Sequence, residues 1–159
     1  MVSTNPTKVT AEPGKQEVRI TREFDAPREL VFRAFTDPKL YIQWLGPRRL
    51  EMVLEKFEAR SGGSWRYIHK DPNGDEYAFH GVYHDITAPS RIVGTFEFEG
   101  APGHVSLDTA HFEEHGGKTL LTLVSVFQSV EDRDAMYESG MESGMNESME
   151  RLDELLARM

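Results

Sequence analysis

The hydrophobic positions along the chain change period twice. Glu17 to Phe24 alternates, with Val18, Ile20 and Phe24 on one parity and Arg19, Thr21 and Glu23 on the other. That period predicts a half-buried strand, with Arg22 as the exception on its apolar side. Asp25-Ala26-Pro27 then reads as a helix start, because an aspartate can cap exposed N–H groups and proline is tolerated in a first turn. Leu30, Val31, Phe32, Ala34 and Phe35 give the helix a broad apolar side. Thr36-Asp37-Pro38 repeats the start signal for a second, short helix running to about Leu45, which Gly46-Pro47 ends. From Arg49 to Phe127 the pattern is all strand, cut by Gly-, Pro- and Asn-rich turns such as Asp71-Pro72-Asn73-Gly74-Asp75. Six strands after the helices, and seven with the first, at this spacing predict antiparallel meander pairing.

Glu131 to Met159 contains no proline and is rich in helix formers. It is expected to be one helix, about 40 Å long, laid across the apolar face of a curled sheet. The predicted fold is therefore α+β, a curved antiparallel sheet of about seven strands wrapping a long C-terminal helix, with two short helices after the first strand. One domain is expected over residues 17–159, preceded by a polar, flexible tail over residues 1–16.

The two halves of the last helix differ in chemistry. Leu152, Leu155 and Leu156 end it as a dry core would. In its middle, Tyr137, Met141, Met145 and Met149 form one ridge beside Gly140, Gly144 and Ser148. A mid-helix glycine costs about 1 kcal/mol relative to alanine, so two of them require a reason. Either the sheet backbone approaches closely or there is an empty volume beside them. Methionine suits a wall that adapts to a guest. The strands supply an opposing wall of Trp65, Tyr67, His69, Phe79, Tyr83, Phe96, Phe98, Phe112, Leu123 and Ser125, with Trp44 able to close one end. Aromatic walls with a few polar tips are characteristic of small-molecule pockets.

Charge narrows the partners. The net charge is −9, and Glu131 to Met159 holds nine acidic residues against three basic ones. With only Arg48 and Arg49 as a basic pair, the chain is not expected to bind nucleic acid or an anionic membrane. No apolar run is long enough to insert in a bilayer. The first residues lack the apolar stretch of an export signal, so a cytoplasmic location is expected. The absence of cysteine fits a reducing compartment.

The stretches ITREFDAPRELVFRAFTDPKLYIQWLGP, RSGGSWRY, FHGVYHDITAPSRIVGTFEF, GGKTLLTLVSVF and SGMNESMERLDELL occur in this order between Ile20 and Leu156. With them the chain resembles the proteins related to the activator of the heat-shock chaperone ATPase, within the START and birch-pollen-allergen-like (SRPBCC) superfamily. The resemblance implies a helix-grip fold whose last helix lines a cavity. It also implies a range of roles: lipid carriers, hormone receptors, polyketide cyclases and chaperone regulators. Where that family often has tryptophan after the glycine of the last helix, this chain has Met145, which implies a softer wall.

Three functions are weighed. The first is a carrier, sensor or stress-related binding protein that holds a small apolar or aromatic molecule between sheet and C-terminal helix, with no cofactor and no metal. The second is a cyclase- or hydrolase-type enzyme using His69 with Tyr67 or Tyr83 in the same cavity, since histidine titrates near neutrality. The third is a regulator of a chaperone partner through surface contacts. His80 and His84 are expected to point outward, and no metal-ligand spacing is present. Arg22 is expected to pair with a glutamate at the sheet edge. A homodimer is compatible with the need to cover edge strands.

Overall fold

The structure, a computed structural model, describes residues 5–159. Twelve elements follow one another: β1 (Lys8–Thr10), β2 (Glu17–Phe24), α1 (Arg28–Thr36), α2 (Pro38–Tyr41), β3 (Glu51–Phe57), β4 (Ser64–Lys70), β5 (Glu76–Thr87), β6 (Arg91–Phe98), β7 (Val105–His115), β8 (Lys118–Val126), α3 (Val130–Glu138) and α4 (Met141–Ala157). The eight strands form one antiparallel sheet in the order β1-β2-β8-β7-β6-β5-β4-β3. From β3 to β8 every strand pairs with its sequence neighbour, as short turns require. Register shifts at Leu54/Lys56 in β3 and at Tyr83/Asp85 in β5 bend the sheet. The helices cover its concave face. There Phe24, Trp65, Tyr83, Ile92, Phe112 and Leu121 form a single core with Val31, Phe32, Trp44, Met149, Leu152 and Leu155.

Three expectations change. The strand count is eight, because Lys8–Thr10 joins the edge of β2 with Val9 opposite Ile20. Val9 is apolar and packs on the Val18, Ile20 and Phe127 cluster, so part of the expected tail has a side chain to bury. Met1–Thr4 of that tail lie outside the described residues. Second, the C-terminal segment is two helices rather than one. Gly140 takes φ +90° between α3 and α4, a left-handed conformation that glycine adopts without steric cost. The seventeen residues of α4 span about 25 Å. Third, α2 is shorter than expected and ends at Tyr41. Asp37 caps it, accepting from the Lys39 N–H at 2.9 Å, with Pro38 in the first turn. In α1 the cap position is Pro27 itself, without a side-chain bond from Asp25.

The segment after α2 is tied to α4. The Gly46 N–H donates to Ser148 Oγ at 2.8 Å, and Arg151 donates to the Gly46 carbonyl at 2.8 Å and the Gln43 carbonyl at 2.9 Å. Arg22 pairs with Asp153 of α4, not with a glutamate at the sheet edge, and both side chains are buried. A cation facing inward from β2 needs an anion from the opposite layer. Both sheet edges are blunted, one by the three-residue β1 and the other by the bulge in β3. On the convex face Val82, Leu107 and Val126 are exposed.

Candidate functional site

The concave face carries a continuous aromatic wall. Trp65 stacks on Tyr67 with ring centres 5.2 Å apart, Tyr67 lies 5.2 Å from Phe79, and Phe79 lies 5.3 Å from Phe96 and 5.2 Å from Phe98. Strand alternation brings these residues together. They occupy inward positions of β4, β5 and β6, where Tyr67 is registered with Phe79 and Phe79 with Phe98. Gly81, opposite Trp65, leaves room for the indole: a Cβ there would stand 2.7 Å from the ring.

The residues expected to line a cavity separate into three groups. Trp44, Phe112 and Met149 are fully buried and have no free surface to offer a guest. The Trp44 indole donates to the Ala34 carbonyl at 2.9 Å, and Phe112 meets Phe32 and Phe35 edge-on at 5.1 Å each. Tyr137 and Gly140 lie on the outside, Tyr137 donating to Glu142 at 3.2 Å. The helix break at Gly140 leaves these two residues exposed, while Met136 of α3 packs on the Val18, Ile20 and Phe127 cluster. The third group keeps partial accessibility at inward positions. It contains Phe79, Phe96, Phe98, Leu123, Ser125 and Met145, while Trp65, Tyr67 and Tyr83 are buried beside them. Met141 packs with Met145 on the Val18, Ile20 and Phe127 cluster. At Gly144 an added Cβ would meet nothing within 4 Å. Of the two reasons a helical glycine could have there, close approach is excluded and open space is observed.

Two residues that pattern reading missed complete the site. Tyr41 of α2 stacks on Phe57 at 5.0 Å. Burial raises its phenol well above the usual value, with Tyr67, Tyr83 and Asp108 adding to the shift. Asp108 is the other. On β7 the inward positions are Ser106, Asp108, Ala110 and Phe112. Asp108 is registered between Gly94 of β6 and Ser125 of β8. Ser106 Oγ donates to its carboxylate at 2.9 Å. Burial raises the carboxyl to about 6, opposed by the hydroxyls of Ser106 and Ser125. Asp108 nevertheless keeps some accessible surface. Val105 and Leu107 suggest the opposite parity for β7. The signal that could have found Asp108 is Phe112, whose inward position fixes every second residue before it.

His69 is buried and leans on Tyr67 at 4.8 Å and Phe79 at 5.6 Å. Its Nε2 is sealed without a hydrogen-bond partner, and a Cβ on Gly46 would stand 2.7 Å from that atom. Burial, with Arg151 nearby, lowers the imidazole to about 4. The ring is neutral at pH 7. Tyr67 and Tyr83, like Tyr41, are phenols raised by burial and remain neutral. His80 is on the convex side, 2.9 Å from Glu99 and 3.3 Å from Glu97. Among the described residues no three His, Cys, Asp or Glu side chains converge in a way that could hold a metal ion. None of the described helices is long and apolar enough to cross a membrane.

Comparison with known proteins extends this picture. The profile of the family described as Activator of Hsp90 ATPase homolog 1-like protein matches residues 25–157. No curated protein matches the chain. Among solved structures, a crystal structure of a protein from Rhodobacter sphaeroides is 27% identical, with a TM-score of 0.88 over 96% of this chain and 99% of that one. A solution structure of a protein from Arthrobacter aurescens is 29% identical, with a TM-score of 0.87 over 96% and 92% of the two chains. Protein Ms6760 from Mycobacterium smegmatis is 25% identical, with a TM-score of 0.86 over 95% and 97%.

Proposed function

Since the chain belongs to the Activator of Hsp90 ATPase homolog 1-like family, whose fold commonly carries a ligand-binding cavity, we propose that it binds a small, largely apolar or aromatic molecule in the cytoplasm. The site is the recess between the aromatic face of β4–β6 and the helices α2 and α4. One observation carries the reading: Asp108 and Tyr41 keep accessible surface although protein surrounds both and desolvates both. A solid core would leave inward side chains no surface at all. Flexible Met145 and the open space beside Gly144 suit a wall that adjusts to its guest. Binding, rather than histidine catalysis, fits a His69 that is neutral and sealed by Gly46.

The test uses N-phenyl-1-naphthylamine, a fluorophore that is neutral at pH 7.5 and brightens in apolar sites. Saturable emission is expected with the wild type, weakened more than about tenfold in Leu123→Trp, where the larger ring occupies the recess. Native mass spectrometry of gently purified protein checks for a retained guest. Absence of saturable binding to the folded wild type would overturn the proposal.

A further inference from the structure

Resting on the cavity reading above, we infer that the guest carries a protonated amine, which Asp108 receives while the aromatic wall takes its apolar body. Asp108 stands at an inward position of β7, opposite Ser125 and beside Gly94. Ser106 Oγ holds the carboxylate at 2.9 Å. Among the described residues no arginine, lysine or histidine forms an ion pair with it, and its stabilising partners are the neutral hydroxyls of Ser106 and Ser125. Where the chain buries Asp153, it supplies Arg22 as the cation. A desolvated carboxylate without a cation is costly to keep in a fold, so an unpaired one facing a recess is suited to a cation from outside. The surrounding groups favour the same ligand class. Tyr41, Tyr67 and Tyr83 are neutral and present ring faces and hydroxyls, which attract a cation and do not compete with it for the carboxylate. An anionic ligand would meet Asp108 as a like charge.

Three probes of nearly equal shape separate the possibilities: 1-naphthylmethylamine, 1-naphthalenemethanol and 1-naphthoic acid. Each is titrated into the full-length protein at pH 7.5 and followed by NMR at the Trp65 indole N–H, on the proposed wall. The amine is expected to bind about ten- to a hundredfold more tightly than the alcohol, the gain of a charge-assisted hydrogen bond in a desolvated site, and the acid most weakly. Asp108→Asn is expected to bring amine and alcohol within about threefold.

A second measurement needs no variant. Lowering the pH from 7.5 to 5 should weaken the amine about tenfold and leave the alcohol unchanged, because Asp108 takes up a proton. The groups facing it, Tyr41 from α2, Tyr67 from β4, Tyr83 from β5 and Ser125 from β8, stay neutral throughout that range. Equal affinities for amine and alcohol would overturn the inference and leave the cavity reading standing. An amine preference that survives Asp108→Asn, or that leaves the Trp65 signal unmoved, would assign the preference to the overall charge of −9 and would also overturn it. Failure of all three probes to bind would overturn the cavity reading, and this inference with it.

Discussion

At the residue scale, Asp108 and His69 hold opposite proton balances in the same pH window. Asp108 is raised to about 6 from an ordinary value of 3.8, so its charge costs stability above pH 6 and nothing below pH 3.8. His69 is lowered to about 4 from 6.5, so the folded state loses stability as the pH falls from 6.5 to 4, where only the unfolded chain takes up that proton. Between pH 6 and 4 the folded protein holds the extra proton at Asp108 and the unfolded chain holds it at His69, and the two slopes oppose. The wild type is therefore expected to show a shallow stability profile in that window by urea unfolding. Asp108→Asn should gain about 1–3 kcal/mol at pH 7.5 and then lose stability more steeply on acidification. A variant no more stable at pH 7.5, with an unchanged acid slope, would show that Asp108 is not desolvated. The two glycines of the C-terminal segment make a second contrast. Gly144→Ala, with nothing within 4 Å of the new Cβ, should stabilise α4 by about 1 kcal/mol. Gly140→Ala, at φ +90°, should destabilise by about 1–2 kcal/mol. Equal effects of the two would contradict their different conformations. Both glycines are visible in the sequence, but only the backbone angles separate a helix break from an open space.

At the element scale, α4 is joined to the sheet by Leu152, Leu155 and Leu156 and by the Arg22–Asp153 pair. The pair is buried, so removing one member strands the other. Asp153→Ala is expected to cost about 3–5 kcal/mol. The double variant Arg22→Met with Asp153→Leu should recover most of that loss, because an apolar pair of similar volume avoids the desolvation penalty. Urea unfolding of the two variants checks this, and a single-variant loss below about 1 kcal/mol would mean the pair is solvated. Strand periodicity located β2 and β4–β6 well, because alternating burial there follows the sequence pattern. It was weaker for β7, where outward Val105 and Leu107 are apolar and inward Asp108 is not. It also missed β1, whose three residues are too few to establish a period.

At the scale of the whole molecule, a site inside the fold couples ligand to stability. At a concentration about a hundredfold above its dissociation constant, N-phenyl-1-naphthylamine should add about 2.7 kcal/mol. For a domain of this size that is a rise in Tm of about 5–10 °C, read by thermal unfolding followed by circular dichroism. Saturating probe with no change in Tm would place the bound probe on a surface present in the unfolded chain too. By itself the sequence determined the α+β class, the meander, the two early helices, the aromatic stretches of β4–β6 and the family, because each is written in local period, turn chemistry or ordered motifs. The tertiary structure alone decided which aromatics are fully buried and which keep accessible surface, since Phe112 and Phe96 both stand at inward strand positions and differ in what lies across from them. It decided that Arg22 meets Asp153, a contact between residues 131 positions apart. It also decided that Asp108 faces inward, because the parity of a strand is set by the sheet it joins and the layer that covers it.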